Sequence, residues 1–367
     1  MSKLMIEDSD GVLGMLQESV HSFAQQFPGP KGLRQIREAN GTANRRQWQA
    51  MVDAGWIGLL LPEAMGGAGL SLREQVVISH ALGEALIVSP MVTASVQSSS
   101  ILAQLAPSQE RDRLVSGLID GTVCVISNVN STLKLTTQAN ALVLNGVCEH
   151  LDTAGLVTDY LLLAHDSTQQ YLLNIPAERV AQMKRDRPAV DGTCLSALHF
   201  EHFNIVAEQI LAAGDLSLII QNALNAARLA VSAELAGLAS GAFSMTSEYT
   251  QQRVQFGKPI ASFQAIQHRL VDMWTKAEFA CASIDNAIEC LSLEDKTKAH
   301  MAILAAKIRC SDAATTIARQ AVHLFGAMGF TDECDIGLYL KRAVNLAASL
   351  GDAESLRLQF IEMERAA

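Results

Sequence analysis

From Leu216 to the C-terminus the chain contains a single proline, Pro259. Proline breaks helices because it lacks an N–H and clashes with the preceding turn, so its scarcity leaves room for long, unbroken helices. Positive charge is also short. The formal net charge is −10 and charged residues make up only 18% of the chain. That balance excludes a protein gripping nucleic acid through the phosphate backbone, which needs a basic surface, but it still permits an anionic ligand held by a few arginines. No apolar run reaches about 18 uninterrupted residues, so no membrane span is expected. No Cys-x-x-Cys pair occurs among the seven cysteines (Cys124, Cys148, Cys194, Cys281, Cys290, Cys310 and Cys334). An odd, dispersed set reads as reduced thiols of a cytosolic protein, mostly filling the core. Metal-ligand spacing is missing too. His199 and His202 stand three apart in an alternating segment that reads as a surface strand, so no metal is expected. The N-terminus is too acidic for a signal peptide, and a cytoplasmic location is expected.

What is present is a globular composition. With 49% hydrophobic residues in 367, the chain can bury a large core and form about two or three structural units. Residues 1–118 read as an all-helical N-terminal domain by apolar spacing. Met15, Val20, Phe23 and Phe27 suit one buried face; Trp48, Met51, Val52 and Trp56 suit another. Gly58 to Leu70 is a glycine-rich stretch that lacks the preceding strand and the lysine of a phosphate loop, so it reads as a connection before a helix at Ser71. Residues 119–212 change texture. Thr122–Ile126, Ala141–Leu144, Tyr160–Ala164, Gln170–Asn174 and Ala197–Glu201 are short and β-prone, which predicts an antiparallel β domain with a hairpin corner at Asn145-Gly146. Residues 213–367 return to a helical period rich in Ala and Leu and predict a bundle of four or five long helices. The fold class is α+β, in the order helices, sheet, helices.

Two stretches carry the chemistry. The first runs Tyr249-Thr-Gln-Gln-Arg-Val-Gln-Phe-Gly-Lys-Pro-Ile260 and continues Ser262-Phe-Gln-Ala-Ile-Gln-His-Arg-Leu-Val-Asp-Met273. The second is Ala321-Val-His-Leu-Phe-Gly-Ala-Met-Gly-Phe-Thr-Asp-Glu333, ending in Tyr339-Leu-Lys-Arg-Ala343. Together they resemble the flavin-binding signatures of the acyl-CoA dehydrogenase family, and the resemblance covers nearly the whole chain. The Pro62-Glu-x-x-Gly-Gly-x-Gly69 loop resembles one near the start of that family. The resemblance implies FAD as cofactor, an acyl-CoA thioester as substrate, and a dimer or tetramer whose flavin sites draw on two subunits. Fatty-acid or steroid catabolism is the implied setting.

Carried onto this chain, the resemblance makes Arg253 a diphosphate ligand, because a guanidinium matches that anion through paired hydrogen bonds. Phe256, Phe263 and Gln264 become wall and adenine contacts. His323, Gly326 and Ala327 match a Gln-x-x-Gly-Gly segment, with His323 replacing a glutamine and Ala327 a glycine. In the β domain Ser127 is expected at the edge of the flavin ring. Asp152 falls where a hydroxyl meets flavin N5. Either His150 pairs with it, or the hairpin has shifted and Asp152 faces solvent.

The same comparison exposes a gap. The family's catalytic glutamate sits in a Tyr-Glu-Gly-Thr segment, and the matching place here reads Ser349-Leu350-Gly351-Asp352. A second base position, just before an arginine that matches Arg228, is Ala227. Arg228 is carried over as substrate-binding. Asp352 and Glu354 are the nearest substitutes, but Asp352 reads more readily as a helix N-cap and Glu354 as a first-turn acid complementing the helix dipole. The resemblance implies an acyl-CoA α,β-dehydrogenase with an unconventional base. The alternatives are a flavin-clamping, non-catalytic partner subunit of a heteromeric dehydrogenase of the steroid-degradation type, and a flavin monooxygenase-like member needing no α-proton base.

Overall fold

The computed structural model describes residues 2–138, 141–152 and 155–366. Helices come first: α1 (Val12–Gln26), α2 (Gly29–Glu38), α3 (Arg45–Asp53), α4 (Leu72–Glu84), α5 (Ser98–Leu102) and α6 (Gln109–Asp120). Seven strands follow: β1 (Val125–Gln138), β2 (Ala141–Asp152), β3 (Asp159–His165), β4 (Gln170–Pro176), β5 (Lys184–Pro188), β6 (Cys194–Ile205) and β7 (Ile210–Gly214). Then come α7 (Ser217–Gln252), a two-residue ladder of β8 (Val254–Gln255) and β9 (Lys258–Pro259), and α8 (Gln264–Leu291), α9 (Lys296–Phe325), α10 (Ile336–Ala348) and α11 (Ala353–Ala366). The order is N-terminal helices, a central sheet and a C-terminal bundle. Packing groups these elements into two compact units that cut across chain order. One holds Met1–Arg34, Leu72–Val88 and Arg228–Ala367; the other holds Gln35–Ser71 and Ser89–Ala227.

The helical unit is built on alanine. Ala230, Ala233, Ala236, Ala239 and Ala242 of α7 are fully buried, and such small side chains let helices approach closely. Glycine completes the contact with α4. A Cβ on Gly237 would lie 1.9 Å from the His80 carbonyl oxygen, and one on Gly83 would lie 2.1 Å from that of Glu234. A buried ion pair joins α7 to α10: Arg342 Nη2 lies 2.8 Å and Nε 3.0 Å from Glu234 Oε1. His80, packed against Cys281 at 3.7 Å, is pushed down to about 4 by burial. By length and composition α7 could cross a membrane, but 83% of its most apolar window is buried, as a core helix requires. On α1 the buried face runs through Leu13, Val20 and Phe23. Met15 is 65% exposed, contrary to the expectation, because it lies two residues from Leu13 and so on the opposite side of a 3.6-residue turn.

In the sheet unit the strand order is β5-β6-β2-β1-β3-β4-β7. All neighbours are antiparallel except β1 and β3. The expected wholly antiparallel sheet is therefore mixed: β2 pairs on one side of β1, so β3 lies on the other side and runs the same way as β1. Asn145-Gly146 is not a corner. It sits inside β2, where pairing with β6 shifts register between Leu144 and Gly146. Gly146 takes φ +123 and Asn145 Oδ1 accepts from His202 N–H at 2.9 Å, which marks a bulge. The β1–β2 connection, at residues 139–140, lies outside the described residues. Strand β5, not among the strands expected from the sequence, is Lys-Arg-Asp-Arg-Pro at the sheet edge, where charge discourages further pairing. The glycine-rich stretch is a closed loop. The N–H groups of Gly66, Gly67, Ala68, Gly69 and Leu70 donate to carbonyls between Gly58 and Glu63, so they are spent on the loop itself and none is free to cradle a phosphate.

Alanine exceeds glycine in helix propensity by about 1 kcal/mol, but the α4–α7 contact leaves no room for a methyl group, and overpacking costs about 1–3 kcal/mol. Gly237→Ala is therefore expected to lower the calorimetric unfolding temperature. An unchanged or higher midpoint would show that α4 moves aside freely.

Candidate functional site

The helical unit brings the two signature stretches together. Tyr249, near the end of α7, stacks on Phe325, the last residue of α9, with centroids 4.1 Å apart and planes 12° apart. Its hydroxyl also reaches the Phe325 carbonyl oxygen at 3.4 Å. Past Tyr249, α7 ends and the chain turns back in the β8–β9 hairpin, where Phe256 (φ +54) and Gly257 (φ +76) are the two central residues. Two positive φ values define the hairpin turn that follows the strands' twist. Glycine adopts it freely; a bulky aromatic does so under strain. Phe256 nevertheless leaves its ring 93% exposed, meeting Phe263 edge-on at 6.0 Å, while Lys258 sits 4.4 Å over the Phe263 ring. A strained residue that contributes no burial points to a role outside the fold.

Arg253 opens this hairpin. Its N–H closes on Tyr249 at 2.8 Å and its carbonyl accepts from Ile260 N–H at 2.9 Å. The backbone is thus fixed while the exposed guanidinium has no carboxylate partner among the described residues. Gln264 is exposed at the start of α8. One turn further on, Arg269 Nη1 lies 3.0 Å from His323 Nδ1. A guanidinium can only donate, so Nδ1 carries the lone pair and the ring proton sits on Nε2. Arg269 thereby makes His323 an N–H donor, the property a glutamine amide would have brought. Sequence reasoning passed over Arg269, and the spacing of one residue on α8 to another on α9 gave no signal for it. Gly326 follows at φ +65, ψ −141, a conformation that glycine alone takes readily. Its surroundings are open, so conformation rather than space requires glycine there. Ala327 is exposed in the next turn.

The vacated base position is well built. Leu350 occupies a turn between α10 and α11 at φ +56, with Gly351 at +104. Arg228, on α7, donates from Nε to the Leu350 carbonyl oxygen at 3.0 Å and is only 8% exposed. Lys307, on α9, is fully buried. Its ammonium reaches Leu346 O and Ala347 O at 3.2 Å each, Gly351 O at 3.5 Å and Ser311 Oγ at 3.1 Å. Burial brings Lys307 down to about 8, with nearby Arg228 acting in the same direction. Ala227, the second possible base position, is apolar and fully buried. The carboxylates nearby are engaged in ordinary helix-end roles. Asp352 Oδ1 accepts from the N–H groups of Glu354 and Ser355 at 2.9 and 3.0 Å, which caps α11 and holds its carboxyl below the usual range. Glu354 is exposed and loosely paired with Arg357 at 3.8 Å. The sequence did contain a signal for Lys307: a lysine inside the apolar run Ile303 to Ile308, on the buried face of its helix.

In the sheet unit Ser127 is 3% exposed. Its hydroxyl lies 3.1 Å from Thr93 O, 3.0 Å from Gln97 Oε1 and 3.2 Å from Ser98 Oγ. A π-helical turn, Val92–Gln97, carries the first two of those partners, and Ser98 begins α5. The single hydroxyl proton is engaged inside the unit instead of being offered to a ring edge. Asp152 ends β2 and is half-buried. The strand is irregular between Cys148 and Leu151, and His150 is exposed at φ +61. Burial first, then the Asp152 charge, pushes the Cys124 thiol up to about 12. No cluster of three or more potential metal ligands occurs among the described residues.

Comparison with known proteins agrees with this architecture. The family model for the acyl-CoA dehydrogenase N-terminal domain matches residues 13–122, and that for the C-terminal domain matches residues 217–363. The chain is 26% identical over 338 residues to acyl-CoA dehydrogenase IpdE2 of Mycolicibacterium smegmatis, covering 92% of this chain and 94% of that one. In fold it resembles the ChsE4–ChsE5 complex from Mycobacterium tuberculosis, with TM-score 0.88, 20% identity and 98% of each chain covered. It also resembles a glutaryl-CoA dehydrogenase from Mycobacterium smegmatis in complex with FADH2, with TM-score 0.86, 16% identity, and 98% of this chain and 96% of that one covered. With both signature stretches joined in one unit and family matches at both ends, the chain belongs to the acyl-CoA dehydrogenase family.

Proposed function

We propose that this chain is the flavin-clamping, base-free subunit of a heteromeric acyl-CoA dehydrogenase, and that a second, glutamate-bearing subunit removes the α-proton. One observation carries the reading: Leu350 stands at the base position in a turn that is otherwise fully anchored, while the candidate diphosphate ligands are retained. A general base typically contributes about 10²–10⁴-fold in rate, and neither Asp352 nor Glu354 is placed to replace it. The similarity in fold to a chain of the ChsE4–ChsE5 complex supports assembly with an unlike subunit.

The residues present fit FAD. Arg253 offers an uncompensated guanidinium, Arg269 and His323 together offer a cation and an N–H donor, and Gly326 supplies an open backbone bend. The complex of a fold relative with FADH2 agrees with this choice. When bound, FAD supplies the acceptor for the β-hydrogen, transferred as hydride. This chain's part is to hold the diphosphate through Arg253 and, through the exposed Phe256 ring, to pack against another subunit. A lone dehydrogenase with a displaced carboxylate is the weaker reading, because Asp352 is spent as a cap. Nothing in the site favours a monooxygenase.

Hydrogen bonds to charged groups contribute about 1.5–3 kcal/mol each, so Arg253→Ala is expected to weaken FAD binding at least tenfold in a fluorescence titration. Unchanged affinity would show that the diphosphate lies elsewhere.

Leu350→Glu tests the missing base. The turn already holds a non-glycine residue at positive φ, so the new side chain adds no backbone strain. Under anaerobic mixing with a panel of acyl-CoAs, the wild-type chain alone is expected to leave its flavin oxidised and Leu350→Glu to bleach it. Brisk bleaching by the wild type, abolished in Asp352→Asn or Glu354→Gln, would establish a displaced base and overturn the partner-subunit reading.

A further inference from the structure

Four carbonyls at the end of α10 and in the turn after it accept from buried cations. Lys307 takes Leu346, Ala347 and Gly351, and Arg228 takes Leu350. Neither cation has a carboxylate partner within salt-bridge reach among the described residues. Burying an ammonium without a counter-ion costs several kcal/mol. Oxygen dipoles in direct contact offset that cost: the last-turn carbonyls of α10, the turn itself and Ser311, with the more distant Asp352 charge acting in the same direction. Helix C-termini favour a cation by the same polarity. Apolar side chains would fill this volume more cheaply, yet they would leave the Ala347, Leu350 and Gly351 carbonyls without these donors; Leu346 O would keep the Ser349 N–H and hydroxyl. The opposite edge of the turn is different. No acceptor among the described residues takes the Leu350 N–H.

We propose that Lys307 and Arg228 form a carbonyl clamp that fixes the turn Ser349–Gly351 with the Leu350 N–H outward, so that loss of the glutamate removes proton abstraction but leaves recognition of a thioester carbonyl. Both are positioning residues, because neither needs to touch the ligand. The role rests on the acyl-CoA reading above and adds to it: the chain binds an acyl thioester in its own base-free site without turning it over. A preorganised N–H donor works only if its peptide is held before the ligand arrives, and two cations on α7 and α9 supply that restraint.

The test uses the FAD-loaded full chain and two ligand series, acyl-CoAs and the matching S-alkyl-CoA thioethers, which lack only the carbonyl. Isothermal titration is expected to give the wild type about fivefold preference for the thioester, the scale of one net hydrogen bond. Lys307→Met should bring that preference close to one and speed amide exchange across residues 346–353, while FAD affinity stays as in the wild type. Arg228→Gln, which cuts the other anchor without altering α9, should give the same loss. Ser311→Ala, which keeps the ammonium, should retain the preference. A loss of FAD binding together with thioester preference in Lys307→Met would indicate general unfolding, and Arg228→Gln then decides. Thioester preference surviving in both cation variants overturns the clamp alone. Wild-type protein that binds neither series overturns the acyl-CoA reading and with it this role.

Discussion

The buried ammonium of Lys307, with no carboxylate within salt-bridge reach among the described residues, ties α9 to the end of α10 and the turn beyond it. Its three N–H groups are shared among α10's last carbonyls, the turn beyond them and Ser311. With Arg228 holding the next carbonyl, the turn is fixed from two helices at once. Leu350 can therefore be held at positive φ, a conformation that costs a non-glycine residue roughly 1–2 kcal/mol. The turn is held in place although a leucine stands where the family resemblance puts a glutamate.

The flavin-clamp region obeys a similar logic. Tyr249 on Phe325 joins the ends of α7 and α9, and everything exposed beyond that stack is attached to it: the strained Phe256 turn, the unpaired Arg253 and the Gly326 bend. Stability alone explains none of these features, since Phe256 adds strain without burial and Arg253 makes no ion pair among the described residues. They make sense as contacts for something the chain does not itself contain. On the proposed reading, the leucine at the base position and the exposed Arg253 region belong to a subunit that holds a cofactor and leaves the proton transfer to another.

Much of this was legible in the sequence because it depends on local pattern. The long helices follow from apolar periodicity without proline, and Trp48, Met51, Val52 and Trp56 are buried as their spacing requires. The gap at Leu350 followed from counting along a motif. What could not be read depends on tertiary partners. Asn145-Gly146 has the chemistry of a hairpin corner, yet pairing with β6 places it in a bulge. Ser127 has the right hydroxyl, but a π-helical turn supplies its partners. Arg269 is unremarkable on α8 until His323 on α9 comes within 3.0 Å. Lys307 was passed over in the sequence, where it is a charge on an apolar stripe, and its partners appear when α10 ends against it.

The central claim is that this chain recognises an acyl thioester but cannot take its α-proton. Proton exchange at the α-carbon measures that step directly and does not depend on electron transfer. An acyl-CoA deuterated at the α-position, held with the FAD-loaded chain in ordinary water, can be followed by NMR under conditions where line broadening shows it bound. The account predicts binding without loss of the label. Washout of deuterium by the isolated chain, faster than in buffer, would mean that a base is present after all and would contradict it.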